Sequence, residues 1–485
     1  MSLRELHFNN VIIAYSEQVK YLGILLDKHL SFNSHIAAIT DKATKAFWAC
    51  RSMYGKTWGL NPLMIFWIYS SLIRPIVLYG ASVWWHRAST QFAITRLNKL
   101  QRLVCLAMCG VMRSCPTAAM EAILGLTPLH IFIKRSAAKC AFNAAIVGKN
   151  SPRRWIPPLL DDFKDYQLLC SFTDSLPKTL VFGRKFEILF PDRRVWEYIT
   201  PYACQNSMSW FTDGSKTSEG VGAGIYGPHH KISLSLGHWP SVFQAELYAI
   251  EMCASLNIDS GIVGTNINIY SDSQAALKAL LSHNQTSLIV QSCYNKLQIL
   301  AQCNTLKLIW VPVHSNIAGN ELADELAREG SSKNFTGPEP FFRIPYSALS
   351  SSIDCWELQN CIKHWNLVPG LTQSKKTISP FKFSPTVISK LGKPALRRVV
   401  GYLSGHCPLK YHLFKMNLVS DSECRLCRDD DETSIHILCE CEALCRNRLA
   451  IFNKPFLEAQ ELKLFSYKDI SAFIAKAESI LLQLA

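Results

Sequence analysis

The chain has 485 residues, 48% hydrophobic and 18% charged, which is ample for several buried cores and excludes a mainly disordered polymer. Its 23 glycines and 22 prolines are near average usage and exclude collagen-like or linker-like chains. The net charge of +14 is uneven, with +13 over residues 1–200, −3 over 201–335 and +4 over 336–485; this excludes a uniformly basic coat and suits a grip on a polyanion in one segment and metal-dependent chemistry in another.

The first five residues run into a polar stretch without the apolar core of a signal peptide, so the 18 cysteines are expected to be thiols of a reducing, intracellular compartment, and the protein is not expected to be secreted. Strand formers at 11–13 and 19–27, followed by His29, Asn33 and Ser34, predict a small hairpin leading into helices. From 35 to about 145 the apolar residues recur at three and four. Residues 64–85 are long enough to span a bilayer, but Arg74, Pro75 and three serines interrupt them, so a buried helical segment and no membrane partner are expected. Leu97, Leu100 and Val104 form one face of an amphipathic helix and Arg96, Lys99 and Arg102 another; that stripe reads either as a solvated bundle face or as a phosphate-tracking, nucleic-acid-binding one.

Residues 146–204 are broken by Pro152, Pro157, Pro158, Pro177, Pro191 and Pro201 and predict a connector with little regular structure. Beyond it, strands are predicted ending at Asp213 and over 220–226 and 231–236, then a helix over 241–256, a strand over 266–270, a helix over 272–283, a strand over 307–311 and a helix over 320–330. Three strands followed by alternating helix and strand make an α/β sheet of mixed sense. After Pro338 and Pro340 the pattern is helical again. The division in sequence is therefore 1–145, 146–204, 205–332 and 333–485.

Four carboxylates in the acidic segment, Asp213, Glu246, Asp272 and Asp324, fall at strand ends and helix starts, which share one rim of such a sheet. Like charges gathered there raise one another's pKa unless a cation intervenes. Mg²⁺ prefers carboxylate oxygen and water, and a pair of such ions stabilises the attacking and leaving oxygens of a phosphoryl displacement, which points to a phosphodiesterase.

The local wording is Phe211-Thr212-Asp213-Gly214-Ser215, Gln244-Ala245-Glu246-Leu247, Tyr270-Ser271-Asp272-Ser273-Gln274, and Trp310-Val311-Pro312-Val313-His314 running on through Asn320 to Asp324. In order and wording these blocks resemble the ribonuclease H domain. The resemblance implies a mixed five-stranded sheet with flanking helices that hydrolyses the RNA strand of RNA–DNA hybrids. Asp213, Glu246, Asp272 and Asp324 would hold two Mg²⁺ ions (Mn²⁺ in their place is also compatible), His314 would assist water positioning or product release, and Ser215 and Asn320 would contact nucleic acid. Asn320 also suits a helix N-cap. Val313, Asn316 and Ala318 depart from the family's usual Gly, Ser or Pro, which leaves the His314 loop less determined than the carboxylates.

Two flanking runs carry further resemblances. Val19-Lys20-Tyr21-Leu22-Gly23-Ile24-Leu25-Leu26-Asp27 and Leu72-Ile73-Arg74-Pro75 through Trp84 resemble the palm end and thumb of non-LTR retrotransposon reverse transcriptases, although no Tyr/Phe-Ala-Asp-Asp block occurs and DNA synthesis by this chain alone is not expected. Near the C-terminus, Cys424, Cys427, His436 and Cys441 are spaced like the zinc-binding segment, 424–441, that ends many such elements, and thiolate pairs with a distant His and Cys suit tetrahedral Zn²⁺. Cys439 and Cys445 compete for the fourth place. The expectation is a metal-dependent hybrid endoribonuclease of retrotransposon origin, nuclear by that resemblance alone. The alternatives are an inactive nucleic-acid-binding remnant and a piece of a longer polyprotein.

Overall fold

In the computed structural model, residues 6–8, 11–13, 16–55, 58–147, 158–163, 173–176, 179–197, 207–312, 317–339, 341–385 and 390–483 are described. They divide into two units, one of residues 142–353 and one that joins 1–141 to 354–485.

The unit over 142–353 is built on a six-stranded mixed sheet. Ser207–Lys216 is central; Val221–Gly227 and then His230–Ser235 pair antiparallel on one side, and Asn266–Ser271, Thr305–Trp310 and Glu187–Leu189 follow in parallel on the other. Six strands replace the five expected. The extra one, Glu187–Leu189, comes from the Pro-rich connector: it is too short to show an alternating pattern, and it exists because the edge of Thr305–Trp310 offers unpaired backbone groups. Strand Ser207–Lys216 also runs three residues past Asp213, so that aspartate lies within the strand and not at its end.

Helix Val242–Asp259 starts in a capping box: the Gln244 N–H donates to Ser241 Oγ and the Ser241 N–H to Gln244 Oε1. Helices Gln274–Leu281 and Ala318–Ser332 fall close to their predicted places. Helix Leu288–Leu300 is one that the sequence reading omits. Its own Ser287 gives no side-chain cap to the helix. Instead Asp174, in the connector, accepts from the backbone N–H of Leu288 at 2.7 Å and of Ile289 at 3.3 Å and from the Ser287 hydroxyl at 2.7 Å. A start signal more than a hundred residues away in sequence leaves no local pattern to read.

The other unit is helical. Residues 18–27 fold back on themselves as a hairpin, turning through Leu22 and Gly23 at φ 44° and 82°, the left-handed pair that a tight two-residue turn requires, while the strand formers at 11–13 pair instead with Leu6–Phe8. One core gathers buried side chains from helix Asn33–Ala49, helix Gln91–Cys109 and the segments around 117–133 together with residues of 365–481, a sharing that boundaries drawn at 145 and 333 do not convey. The apolar run at 64–85 is helical and bent, by 53° between Pro62–Leu78 and Ala81–Arg87, and it buries Ile65, Tyr69, Ile73, Val77 and Trp84. No single helix among the described residues is long and apolar enough to cross a membrane.

Candidate active site and metal centres

Asp213 sits in the central strand, opposite Gly224 of its antiparallel neighbour. Helix Ala318–Ser332 crosses that neighbour at backbone distance: a Cβ on Gly222 would lie 2.2 Å from the Ala327 carbonyl oxygen, and one on Gly224 would lie 2.1 Å from that of Ala323. Glycines at alternate positions clear one face of the strand, and the helix that carries Asp324 settles there. Glu246 is brought up on helix Val242–Asp259 in the same way. A Cβ on Gly214 would stand 2.6 Å from the Glu246 nitrogen, and the Gly214 N–H donates to the Glu246 carboxylate. Asp272 follows directly on strand Asn266–Ser271, and its carbonyl oxygen accepts from Trp310 Nε1 at 3.1 Å.

Asp213, Glu246 and Asp272 place one carboxylate oxygen each within 4.8 Å of the others. Asp213 and Glu246 are buried and Asp272 half-buried. Burial first, and then the charges of Asp272 and Asp324, push Asp213 up to about 7. Glu246 is raised well above the carboxylate range by burial and by Asp213 and Asp272. Burial also raises Asp272, opposed by a hydrogen bond from the Asn320 side chain. Glu246 Oε2 is buried with no hydrogen-bond partner among the described residues. Three repelling carboxylates with an orphaned oxygen are a donor set that suits a hard, oxygen-seeking divalent cation.

Asp324 stands outside that trio. Its Oδ2 is 2.6 Å from Arg328 Nη2, one helical turn on, although its charge is felt at all three carboxylates. The Asp-to-Arg spacing of four in a helix was a visible signal for this pair. His314 lies outside the described residues, as do Val313 and Asn316. Ser215, two along the strand from Asp213, is half-buried on the same face. Asn320 is not the N-cap, since Ile317 holds that place and the helix starts at Ala318; two residues in, its amide reaches Asp272 instead.

The model of the RNase H family matches residues 205–332. Residues 205–332 are a ribonuclease H domain. Over 127 residues the chain is 33% identical to the 115 kDa protein of the type-1 retrotransposable element R1DM of Drosophila melanogaster, which covers 26% of this chain and 12% of that protein. It is 29% identical over 141 residues to a retrovirus-related Pol polyprotein from the type-1 retrotransposable element R1 of Bradysia coprophila, covering 29% and 14%. The chain thus spans only a small part of the length of these relatives. Among solved structures, RNase H1 of Halobacterium salinarum is 22% identical, with a TM-score of 0.21, over 26% of this chain and 96% of that one.

Away from the ribonuclease H domain, Cys424, Cys427, His436 and Cys441 bring one ligand atom each within 4.8 Å of the others, with Cys427 Sγ 3.3 Å from His436 Nε2. Of the two rivals for the fourth place, Cys439 is buried outside this group, its thiol pushed up to about 12 by burial, and Cys445 is not in it. A five-residue π-helical turn, His436–Glu440, turns the chain so that Cys441 faces the other three. The Cys424 thiol is held far below its ordinary range, chiefly by its hydrogen bond with Cys441, which is raised in return. Three sulfurs and an imidazole nitrogen are a donor set that suits Zn²⁺. Sequence reasoning missed Arg448, which is fully buried beneath this segment and donates to the carbonyl oxygens of Ile437, Cys441 and Pro455.

The basic stripe is not an open one. Arg96 pairs with Asp41 at 3.0 Å, and Arg102 donates to the Cys115 carbonyl at 2.8 Å, to Thr117 Oγ1 at 2.9 Å and to the Arg113 carbonyl, bracing a turn. Lys99 is exposed beside Arg96 on the wall of a groove between helices Asn33–Ala49 and Gln91–Cys109. The periodicity marked a polar face; it could not show that the face was already occupied by protein carbonyls and a carboxylate.

Proposed function

We propose that the chain hydrolyses the RNA strand of RNA–DNA hybrids, using Asp213, Glu246 and Asp272, with Asp324 beside them, to hold two Mg²⁺ ions, or Mn²⁺ in their place. The observation that carries this reading is the convergence of three carboxylates within 4.8 Å in a ribonuclease H domain. Bound there, the metal supplies an activated water and neutralises charge on the leaving oxygen. The protein's part is to hold the carboxylates in place. Gly214 allows Glu246 to close on Asp213, Asn320 fixes the orientation of Asp272, and the Asp324–Arg328 pair keeps a fourth charge near the rim. His314 belongs to the proposal as the residue that helps water or product across the site.

The likeness to R1 polyproteins supports a retrotransposon origin, with the helical unit as a thumb-like grip and Zn²⁺ held by Cys424, Cys427, His436 and Cys441. The test is cleavage of an end-labelled hybrid by the full chain with Mg²⁺ and with chelator, beside Asp272→Asn. Cleavage that requires both metal and Asp272 establishes the enzyme. A folded protein that binds the hybrid and leaves it intact is instead a nucleic-acid-binding remnant.

A further inference from the structure

Helix Lys393–Ser404 carries Lys393, Arg397 and Gly401 at intervals of four, so they share one face, and that face lines a cavity of about 220 Å³. Lys393 is buried. Its ammonium donates to the Gly55 carbonyl at 2.7 Å and lies over the Tyr54 ring, but it has no carboxylate partner among the described residues. A buried ammonium without a counter-ion is costly, and an anion in the adjoining cavity would offset that cost. The acid on this wall, Glu478, is taken by Arg398 at 2.9 Å. Of the cations on this wall, Lys393 and Arg397 are the two without a carboxylate partner among the described residues.

His406 and Cys407 form the far wall and are at the same time a wall of a second cavity, of about 370 Å³. The larger cavity is lined by hydroxyl and amide groups, among them Thr372, Gln373 and Ser404, with Lys415 as its cation and the His412 ring, kept neutral by burial, beside it. Its acid, Glu432, has both oxygens engaged, by Arg425 and by the Lys410 N–H. Burial disfavours the proton on His406, as do the charges of Arg102, on helix Gln91–Cys109, and of Lys415, on helix Lys410–Lys415, so positive charge from two elements acts on the ridge between the two cavities.

We propose that these two cavities form one track for a single-stranded polynucleotide, with a backbone phosphate against Lys393 and Arg397 and the adjoining nucleoside in the larger cavity. A lone phosphate would use one cavity and leave the positive charge of the other unanswered; a strand answers both. A duplex is too broad to enter spaces of a few hundred cubic ångströms, whereas the larger one falls in the range, roughly 300 to 1,000 Å³, that holds small organic groups. The inference shares with the nuclease reading only the class of polymer, and it stands or falls without cleavage.

The test is fluorescence anisotropy of the full chain with a labelled single-stranded DNA of about ten nucleotides and with RNA of the same sequence, titrated at several salt concentrations. Arg397→Ala and Lys415→Ala, both outside the core, are each expected to weaken binding about fivefold and to lower the salt slope by about 0.7. Lys393→Met, checked by its melting curve, is expected to weaken binding while leaving the protein at least as stable. Lys42→Ala, an exposed cation elsewhere in the same unit, is expected to change nothing. Unchanged affinity and slope in both Arg397→Ala and Lys415→Ala overturn the track, as does an equal loss in Lys42→Ala. Displacement of the strand by inorganic phosphate at the same phosphate concentration assigns the site to a free anion, and a hybrid duplex whose binding is weakened as much as the single strand's by Arg397→Ala and Lys415→Ala removes the single-strand preference; either result overturns the proposal.

Discussion

The backbone nitrogen of Glu246 lies where a Cβ on Gly214 would come within 2.6 Å of it. The obstacle is backbone on both sides, and no side chain can swing away to relieve it. Gly214→Ala is therefore expected to push helix Val242–Asp259 off the strand, costing about 1–3 kcal/mol and moving Glu246 out of the carboxylate group. A urea melt should show the loss of stability, and hybrid cleavage should fall at least tenfold even well below the melting transition. Wild-type cleavage in a folded Gly214→Ala protein would show that Glu246 need not approach Asp213 so closely.

The Asn320 side chain bonded to Asp272 has a different signature, because its amide holds a carboxylate in place without supporting the core. Groups that orient metal ligands typically matter by 10- to 100-fold. Asn320→Ala is expected to raise the Mg²⁺ concentration needed for half-maximal cleavage about tenfold, with the melting temperature little changed. A Mg²⁺ titration of initial rates checks this, and an unchanged requirement would reduce Asn320 to a packing residue.

What was legible in the sequence was whatever a local pattern encodes. The blocks around Asp213, Glu246 and Asp272 read through because each carboxylate follows from its own strand or helix, and the gathering of Cys424, Cys427, His436 and Cys441 read through because all four lie in one short stretch that folds back on itself. Helix Leu288–Leu300 did not, since Asp174 caps it from outside, nor did the edge strand Glu187–Leu189, which is only three residues long. The stripe of Arg96 and Arg102 stayed open between two readings because helical periodicity shows which way a cation points and nothing of the acceptors waiting there. Asn320 was a fair N-cap by residue type, but the helix began three residues earlier than that role allows.

Asp174 therefore makes residues outside 205–332 part of the domain's stability. It caps helix Leu288–Leu300 and accepts from Gln244 Nε2 at 3.2 Å, while its own N–H donates to the Ile344 carbonyl at 2.8 Å. Loss of a helix cap costs about 1 kcal/mol, and leaving Gln244 without one acceptor adds to that. Asp174→Ala is expected to lower the unfolding free energy of the unit over 142–353 by about 1–2 kcal/mol, read by hydrogen exchange at the Leu288 and Ile289 amides. A fragment cut at 205 and 332 should be less stable than one that keeps 173–344.

Glu121 gives the helical unit a pH dependence. It is buried, accepts from Gln101 Nε2 at 2.8 Å within a network that includes the Tyr69 hydroxyl, and is pushed up to about 8 by burial. In the folded protein it holds a proton that the unfolded chain, near 4.5, has released. Its contribution is thus fully present below about pH 4.5, declines as pH rises and is lost once pH passes 8, an effect of at most roughly 5 kcal/mol. Glu121→Gln keeps the acceptor and removes the titration. Urea melts of this variant should lack the decline that the wild type shows between pH 5 and 8, and parallel curves would mean that Glu121 stays charged in the fold.

Zinc provides the sharpest contrast between neighbouring residues. Cys441 stands in the group with Cys424, Cys427 and His436, while Cys439, two residues before it, is buried outside. Cys441→Ser is expected to lose most of the bound zinc and to lower the melting temperature of the helical unit, because metal binding and folding of such a segment are one equilibrium. Cys439→Ser should keep one zinc per chain and lose only the stability due to a small buried side chain set in apolar surroundings. Metal analysis of the two purified proteins, before and after chelator, reads the difference directly. Arg448 sharpens it further: Arg448→Met orphans the carbonyls of Ile437, Cys441 and Pro455, so it should cost about 3 kcal/mol and weaken zinc retention although Arg448 itself offers no ligand atom. If Arg448→Met retained zinc as tightly as the wild type, the four ligands would be holding their own geometry, and the buried guanidinium would serve only the helices beneath them.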